Sequence, residues 1–140
     1  MAIATRTLIV TDTDRFRLER LIHAARARGG QRPEYLDALR GELGRARTVK
    51  PTDVPPNVIT MNSTVRLRDL DTGERETYTL VYPDDADASA GRISVLAPVG
   101  TAVIGHRAGD TIEWRVPAGL RRLKVEAALD QPERAGVYDL

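Results

Sequence analysis

The sequence contains no cysteine and no long apolar run. Without cysteine, disulfides, zinc–thiolate sites and cysteine-based catalysis are excluded. A membrane-spanning helix needs roughly 20 consecutive apolar residues, and no segment approaches that length. The N-terminal segment has one three-residue apolar run, 8–10, which acidic residues follow closely, and this is not the pattern of a signal peptide. We therefore expect a cytoplasmic protein that has no membrane contact.

Histidines and aromatic residues are also scarce. Aromatic side chains make up 4% of the 140 residues, and the two histidines, His23 and His106, lie in different halves of the chain. Isolated histidines rarely bind a metal without a nearby cluster of carboxylates. No combination of Ser, His and Asp that would suit nucleophilic catalysis is recognisable either. We therefore expect no catalytic residues, no bound metal and no cofactor.

The net charge of +1 hides an uneven distribution. Residues 1–50 carry 11 basic and 6 acidic residues, whereas residues 51–140 carry 10 and 14. A basic segment of this kind can contact an acidic partner such as RNA or DNA, and it can equally be a solvated helical face. Phe16 and Tyr35 are the aromatic residues of the basic segment, fewer than base-stacking platforms usually have. Both interpretations therefore stay open.

Two apolar series predict a helical hairpin over residues 12–47. The first has the i, i+3, i+4, i+7 spacing of one helical face and comprises Leu18, Leu21, Ile22 and Ala25. The second has the 3-4-3 spacing of a coiled-coil seam and comprises Leu36, Leu39, Leu43 and Ala46. Gly29 and Gly30 end the first helix and Pro33 begins the second, so the short connection makes the helices antiparallel. About 16 residues per helix give an arm of roughly 24 Å.

The second half of the chain has the pattern of a sheet domain. Three prolines between 51 and 56 end the helical region and form a stiff connector. From Thr64 onward, apolar and polar residues alternate in five short segments that turn residues separate. The predicted strands lie within 64–70, 76–83, 92–97, 111–117 and 122–130, and a short helix lies at 98–104. The pattern predicts an α+β fold with an antiparallel sheet, divided into an arm at 1–50 and a domain at 51–140.

The segment LAPVGTAVIGHRAGD, residues 96–110, has two glycines at nearly the spacing of a phosphate-binding loop. That loop needs Lys and then Ser or Thr after its second glycine, and His106 and Arg107 stand at those positions. Pro98 instead suits the start of a short helix and Gly105 its end. The segment is therefore predicted to be a helix bounded by turns, not a nucleotide site.

Three segments together resemble a known family. They are VITMNSTVRLRDLDTGERETYTLVYP (58–83), ISVLAPVGTAVIGHRAGDTIEWRVPAG (93–119) and LDQPERAGVYDL (129–140). In these segments the chain resembles the Rnk family, known as regulators of nucleoside diphosphate kinase and related to the transcript-cleavage factors GreA and GreB. The resemblance implies a short helical hairpin and an FKBP-like C-terminal domain. It also implies docking on bacterial RNA polymerase core, at the rim of the secondary channel.

The tip of the predicted hairpin differs from that of a Gre factor. In Gre factors, an acidic segment lies between a glycine and a Glu-Tyr pair, and its carboxylates help to hold a catalytic magnesium. Here Gly29 and Gly30 lead through Arg32 to Glu34, so the acidic segment is missing. Glu34 and Asp37 could hold magnesium, but Arg32 and the helix dipole explain both carboxylates adequately. The resemblance therefore implies polymerase binding in competition with Gre factors, without transcript cleavage.

The resemblance also implies where the partner binds. Gre factors dock near the loop that enters the short helix, and the matching positions are Leu96, Ala97, Pro98, Val99 and Gly100. Leu96 and Ala97 replace polar residues, so the contact here would be more apolar, and core packing of Leu96 and Val99 is the alternative. We expect a monomeric transcription regulator. An FKBP-like peptidyl-prolyl isomerase and a direct regulator of nucleoside diphosphate kinase are the alternative functions.

Overall fold

The structure, a computed structural model, describes residues 2–3, 7–30, 32–116 and 119–138. The helices in these residues are α1 (Asp12–Arg28), α2 (Pro33–Arg45) and α3 (Pro98–Val103). The strands are β1 (Ala2–Ile3), β2 (Leu8–Thr11), β3 (Ala46–Val49), β4 (Thr64–Asp69), β5 (Arg75–Val81), β6 (Arg92–Ser94), β7 (Thr111–Val116) and β8 (Gly119–Asp130). In the same residues, no helix is both long and apolar enough to cross a bilayer.

Helices α1 and α2 form the predicted helical hairpin. The hydroxyl of Thr11 accepts a hydrogen bond from the backbone amide of Asp14 at 3.1 Å, and this N-cap starts α1. Gly29, at φ 71°, ends α1, and Pro33 occupies the first turn of α2. The buried apolar side chains of the two helices belong to one cluster and are Leu18, Ile22, Ala25, Leu36, Leu39 and Leu43.

Helix α2 ends at Arg45, two residues earlier than predicted, because Ala46 leaves the helix and begins β3. Strand β3 pairs in parallel with β2, which precedes α1, so the two strands close the base of the arm. The amide of Ile9 in β2 donates to the carbonyl of Gly105 at 3.0 Å. The base of the arm is therefore bonded directly to the chain that follows α3.

Five strands of the C-terminal half and the N-terminal strand β1 form a six-stranded sheet in the order β1-β7-β8-β4-β5-β6. Its central pairs are antiparallel, as predicted, but β5 and β6 run in parallel from Thr79 paired with Arg92 to Val81 paired with Ser94. The prediction of an antiparallel sheet was therefore wrong, and the sheet is mixed. The reason is the connection at 82–91, whose two short 3-10 turns carry the chain back so that β6 starts beside the interior of β5.

One apolar core extends from the arm into the sheet domain. It joins Val10 and Leu18 of the arm to Val65, Leu80 and Val125 of the sheet. Close packing at the junction requires glycine at one position. A Cβ on Gly105, which has φ 81°, would lie 3.1 Å from the carbonyl oxygen of Ile9. The arm and the sheet therefore share a tightly packed boundary.

Candidate functional site

The loop that enters α3 is fixed by hydrogen bonds within the segment 94–101. The hydroxyl of Ser94 accepts the amide of Leu96 at 3.0 Å, and the amide of Ala97 donates to the carbonyl of Ser94 at 3.0 Å. The hydroxyl of Thr101 donates to the carbonyl of Val95 at 2.6 Å. A Cβ on Gly100 would overlap the carbonyl oxygen of Ser94, so only glycine fits there. The loop therefore presents its exposed side chains in a defined geometry.

The five predicted partner-binding residues divide by burial. Leu96 is 5% exposed and lies in the core, and Gly100 is also buried. Pro98 is exposed, and Ala97 and Val99 are half-buried. Leu96 is therefore a core residue, which was the alternative to a partner contact. Val99 packs against the core, but part of its side chain stays exposed. A partner at this loop would touch Ala97, Pro98 and Val99.

A pocket of about 160 Å³ opens beside Val99 on the sheet. Its apolar lining consists of Val99 from α3 with Leu67, Tyr78 and Leu123 from three neighbouring strands. Its polar lining consists of Asp69, Glu74, Glu76 and Arg121. Sequence reasoning missed this pocket because its residues come from one helix, three strands and the β4–β5 turn and meet only in the folded sheet. We call Ala97, Pro98, Val99 and this pocket the docking surface.

The carboxylates of the docking surface differ in their pairing. Asp69 accepts the amides of Asp71 at 2.8 Å and Thr72 at 3.1 Å, and these hydrogen bonds hold its pKa below the ordinary value. Arg121 also donates to Asp69 at 3.1 Å. Glu74 and Glu76 are exposed and form no ion pair within the described residues. Asp69 therefore stabilises the β4–β5 turn, whereas the two glutamates leave negative charge at the rim.

The predicted hairpin tip is a glycine turn with paired carboxylates. Gly29 and Gly30 both have positive φ, at 71° and 87°. Asp37 accepts from Arg26 of α1 at 2.5 Å, and Glu34 lies 4.0 Å from Arg32. In the described part of the chain, no three His, Cys, Asp or Glu side chains come together as a metal-binding group. The tip carboxylates thus each have an arginine beside them.

The segment Thr60–Ser63 makes a buried turn against the base of the arm. Asn62 adopts φ 67°, a conformation that asparagine tolerates better than most residues. The hydroxyl of Ser63 accepts the amide of Thr60 at 3.0 Å. The amide of Met61 donates to Asp14 in α1 at 3.1 Å, so this turn joins the connector to the arm.

Asp14 is a buried carboxylate, only 5% exposed, at this junction. Burial raises its pKa to about 7, although the hydrogen bond from Met61 acts in the opposite direction. The nearby charge of Glu133 raises the pKa further, and Glu133 itself accepts from the hydroxyl of Thr60 at 2.7 Å. Burial and the charge of Asp14 also raise the pKa of Tyr82.

His106 is fully buried behind α3 rather than facing a ligand. Its Nδ1 lies 3.3 Å from Asp110, which also accepts the amide of Arg107 at 3.1 Å. Burial lowers the pKa of His106, while Asp110 opposes that shift. The segment 96–110 is thus a short helix followed by a turn, as predicted, and it also contains a buried histidine that was not predicted.

Comparisons with known proteins show the family to which this fold belongs. Residues 54–129 match the family model for the C-terminal domain of the transcription elongation factors GreA and GreB. Residues 6–49 match the model for the Rnk N-terminus. A solved prokaryotic transcription elongation factor GreA/GreB from Nitrosomonas europaea is 40% identical, with a TM-score of 0.68 over 88% of this chain and 98% of that one. The fold and the C-terminal match define a relative of the Gre elongation factors.

Two curated relatives show to which family within this class the chain belongs. GreA of Syntrophotalea carbinolica is 40% identical over 102 residues, which cover 73% of this chain and 65% of the relative. The regulator of nucleoside diphosphate kinase of Escherichia coli K12 is 41% identical over 138 residues, which cover 94% of this chain and 96% of the relative. The chain belongs to the Rnk family, and the resemblance read from its sequence is confirmed.

The FKBP-like part of the predicted fold is not borne out. The sheet is mixed at the β5–β6 edge, and the solved structure from Nitrosomonas europaea is a GreA/GreB factor. The prolyl isomerase alternative depended on an FKBP-like domain and has less support than a regulator related to transcription factors.

Proposed function

We propose that this protein is a transcription regulator that binds bacterial RNA polymerase core through its docking surface. One observation carries the proposal. The domain that matches the GreA/GreB C-terminal family presents Ala97, Pro98 and Val99 beside a pocket whose lining is half apolar and half charged, with two exposed glutamates. A rigid apolar loop next to a pocket suits the side chains of a folded partner. The proposed partner site is the rim of the secondary channel.

The arm supports competition with Gre factors rather than transcript cleavage. Helix α1 has 17 residues, and the arm therefore extends about 25 Å. Its tip carboxylates Glu34 and Asp37 lie beside arginines, which disfavours a metal held there. The protein would then occupy the Gre binding site without completing a cleavage site.

Pro98→Asp tests the docking surface. Position 98 is the first turn of α3, where an aspartate is compatible with the helix, so the variant should fold. The new charge faces the partner, and we expect at least a tenfold weaker binding to core polymerase in a pull-down or by biolayer interferometry. Ala135→Asp adds the same charge at an exposed position elsewhere and is the matched control. Unchanged binding of Pro98→Asp would remove the assignment of this surface.

The absence of cleavage is tested on stalled elongation complexes. A Gre factor serves as the positive control, and the full chain is added at saturating concentration. We expect no shortening of the nascent RNA. Shortened RNA would contradict this part of the proposal while leaving polymerase binding intact.

A further inference from the structure

A second cavity lies along one side of the arm, away from the docking surface. It is a groove of about 430 Å³ between α1 and α2, within the size range of small-ligand sites. Ile22 and Leu43 contribute apolar side chains to its lining. Its charged or polar side chains are Arg15, Glu19, His23, Arg26 and Arg40. Arginines thus dominate the polar lining of the groove.

The arginine at the base of the groove is fixed in place. The guanidinium of Arg15 donates to the carbonyls of Leu43 at 2.6 Å and Ala46 at 3.1 Å, and to the hydroxyl of Thr48 at 2.7 Å. It also lies 3.4 Å from Glu19. The charge of Arg15 is therefore held at the end of α2 with little conformational freedom left.

The other two arginines differ in how far their charge is compensated. Arg26 pairs with Asp37 at 2.5 Å. Arg40 is exposed and forms no hydrogen bond or ion pair within the described residues. With Arg15 beside Glu19 and Arg26 beside Asp37, the charge of Arg40 is left uncompensated in the groove. An arginine of this kind can offer parallel N–H donors to the oxygens of a phosphate.

The wall of the groove is open beside Arg40. Gly44 lines the groove, and a Cβ placed there would meet no atom within 4 Å. Packing therefore does not require a glycine at this position, although glycine costs a helix up to about 1 kcal/mol relative to alanine. The groove is therefore open at Gly44, one helical turn from Arg40.

We propose that this groove binds phosphate groups, with Arg40 and His23 contacting the phosphate oxygens, and with Arg15 and Arg26, each beside a carboxylate, forming part of its walls. The phosphates belong either to a free nucleotide or to the backbone of a nucleic acid. The site is independent of the docking surface, and the proposal does not rest on polymerase binding.

Two probes separate the sources of phosphate on the full-length protein at low salt. ATP is titrated by calorimetry, and a short fluorescein-labelled single-stranded RNA is titrated by fluorescence anisotropy. Binding of ATP alone assigns the groove to a nucleotide, and binding of the RNA alone assigns it to a nucleic-acid backbone. Binding of both supports phosphate recognition as such. The proposal is overturned if neither probe binds.

Three variants locate the binding. Arg40→Gln keeps a good helix former at an exposed position. We expect this variant to bind the probe about tenfold more weakly, which is the effect of losing one charge-assisted hydrogen bond. Glu19→Gln removes the carboxylate of the groove and should tighten binding. Arg20→Gln makes the same charge change as Arg40→Gln on α1 outside the groove, where Arg20 lies 5.6 Å from the Phe16 ring, and should leave binding within about twofold.

The comparison of the two arginine variants decides the result. If Arg20→Gln and Arg40→Gln weaken probe binding equally, the assignment of the binding site to the groove is overturned, because only the overall charge of the arm would then matter. An unaltered affinity of Arg40→Gln would overturn it as well. If the RNA binds, Arg40→Gln should also reduce the slope of log K against log salt by about one unit. Far-UV circular dichroism and thermal melting verify that each variant is folded.

Discussion

Asp14 shows how a single buried group joins the two halves of the molecule. Its backbone amide donates to the cap residue Thr11, and its carboxylate accepts the amide of Met61. The first bond starts α1, and the second fixes the turn that precedes the sheet. Burial makes the charged carboxylate costly and raises its pKa to about 7, so the native state favours the protonated form below that pH.

The raised pKa of Asp14 predicts a specific dependence of stability on pH. The native carboxyl has a pKa of about 7, whereas an unfolded aspartate titrates near about 3.9. Between these values the native state binds more protons, so the contribution of Asp14 to stability falls as the pH rises and levels off above the native pKa. We therefore expect the free energy of unfolding of Asp14→Asn, relative to that of the wild type, to increase by about 2–3 kcal/mol as the pH rises from about 5 to about 8.

Urea unfolding of both proteins at several pH values measures this difference. The comparison cancels the opposite pH effect of buried His106, whose pKa burial lowers in both proteins. Asp85→Asn, which changes an exposed carboxylate, is the control and should keep the wild-type dependence. A constant difference between Asp14→Asn and the wild type across this range would contradict the assigned burial effect.

At the scale of elements, the arm contains a glycine that its structure does not require. Gly41 lies in the interior of α2 without a positive φ, and a Cβ placed on it would meet no atom within 4 Å. Its replacement by alanine should stabilise the protein by about 1 kcal/mol because alanine loses less backbone entropy in a helix. That corresponds to a rise in Tm of about 3–5 °C. A thermal melt in which Gly41→Ala lowers Tm would show that the glycine has a packing role.

Some bounds of the helices and strands were predictable from the sequence, and others were not. Thr11, Gly29 and Pro33 mark helix ends through local hydrogen bonds and backbone preferences, so the bounds of α1 and the start of α2 were predictable. Strand β3 was not predictable, because Ala46 continues the apolar series of α2 and only pairing with β2 turns the chain into a strand. The direction of β6 likewise depends on the path of the connection at 82–91, which alternation does not encode.

The candidate site was predicted in part for a related reason. Resemblance located the loop 96–100. Strict strand alternation would put the neighbours Val95 and Leu96 on opposite faces, yet both are buried. Alternation fails there because the chain turns at Ser94, whose hydroxyl and carbonyl bind the next amides. The pocket and the groove of the arm need contacts between distant segments, and no local pattern reveals them.

At the scale of the molecule, the continuous core predicts a single unfolding transition. The apolar cluster runs from Leu18 in α1 to Val125 in β8, and the bond from Ile9 to Gly105 crosses the same boundary. Far-UV circular dichroism reports mainly on the helices of the arm, and the single tryptophan, Trp114, lies in β7 of the sheet. We expect the far-UV circular dichroism and the tryptophan fluorescence to give the same urea midpoint. An earlier loss of helix than of tryptophan signal would mean that the arm unfolds independently.

The central claim is that this protein occupies the Gre binding site on polymerase, and competition for core polymerase tests it most directly. A labelled Gre factor is bound to core polymerase, and the unlabelled protein is added in increasing amounts. We expect complete displacement of the Gre factor by the wild type and by Ala135→Asp, and at least about tenfold weaker displacement by Pro98→Asp. Formation of a ternary complex, with the Gre factor retained at saturating protein, would contradict it.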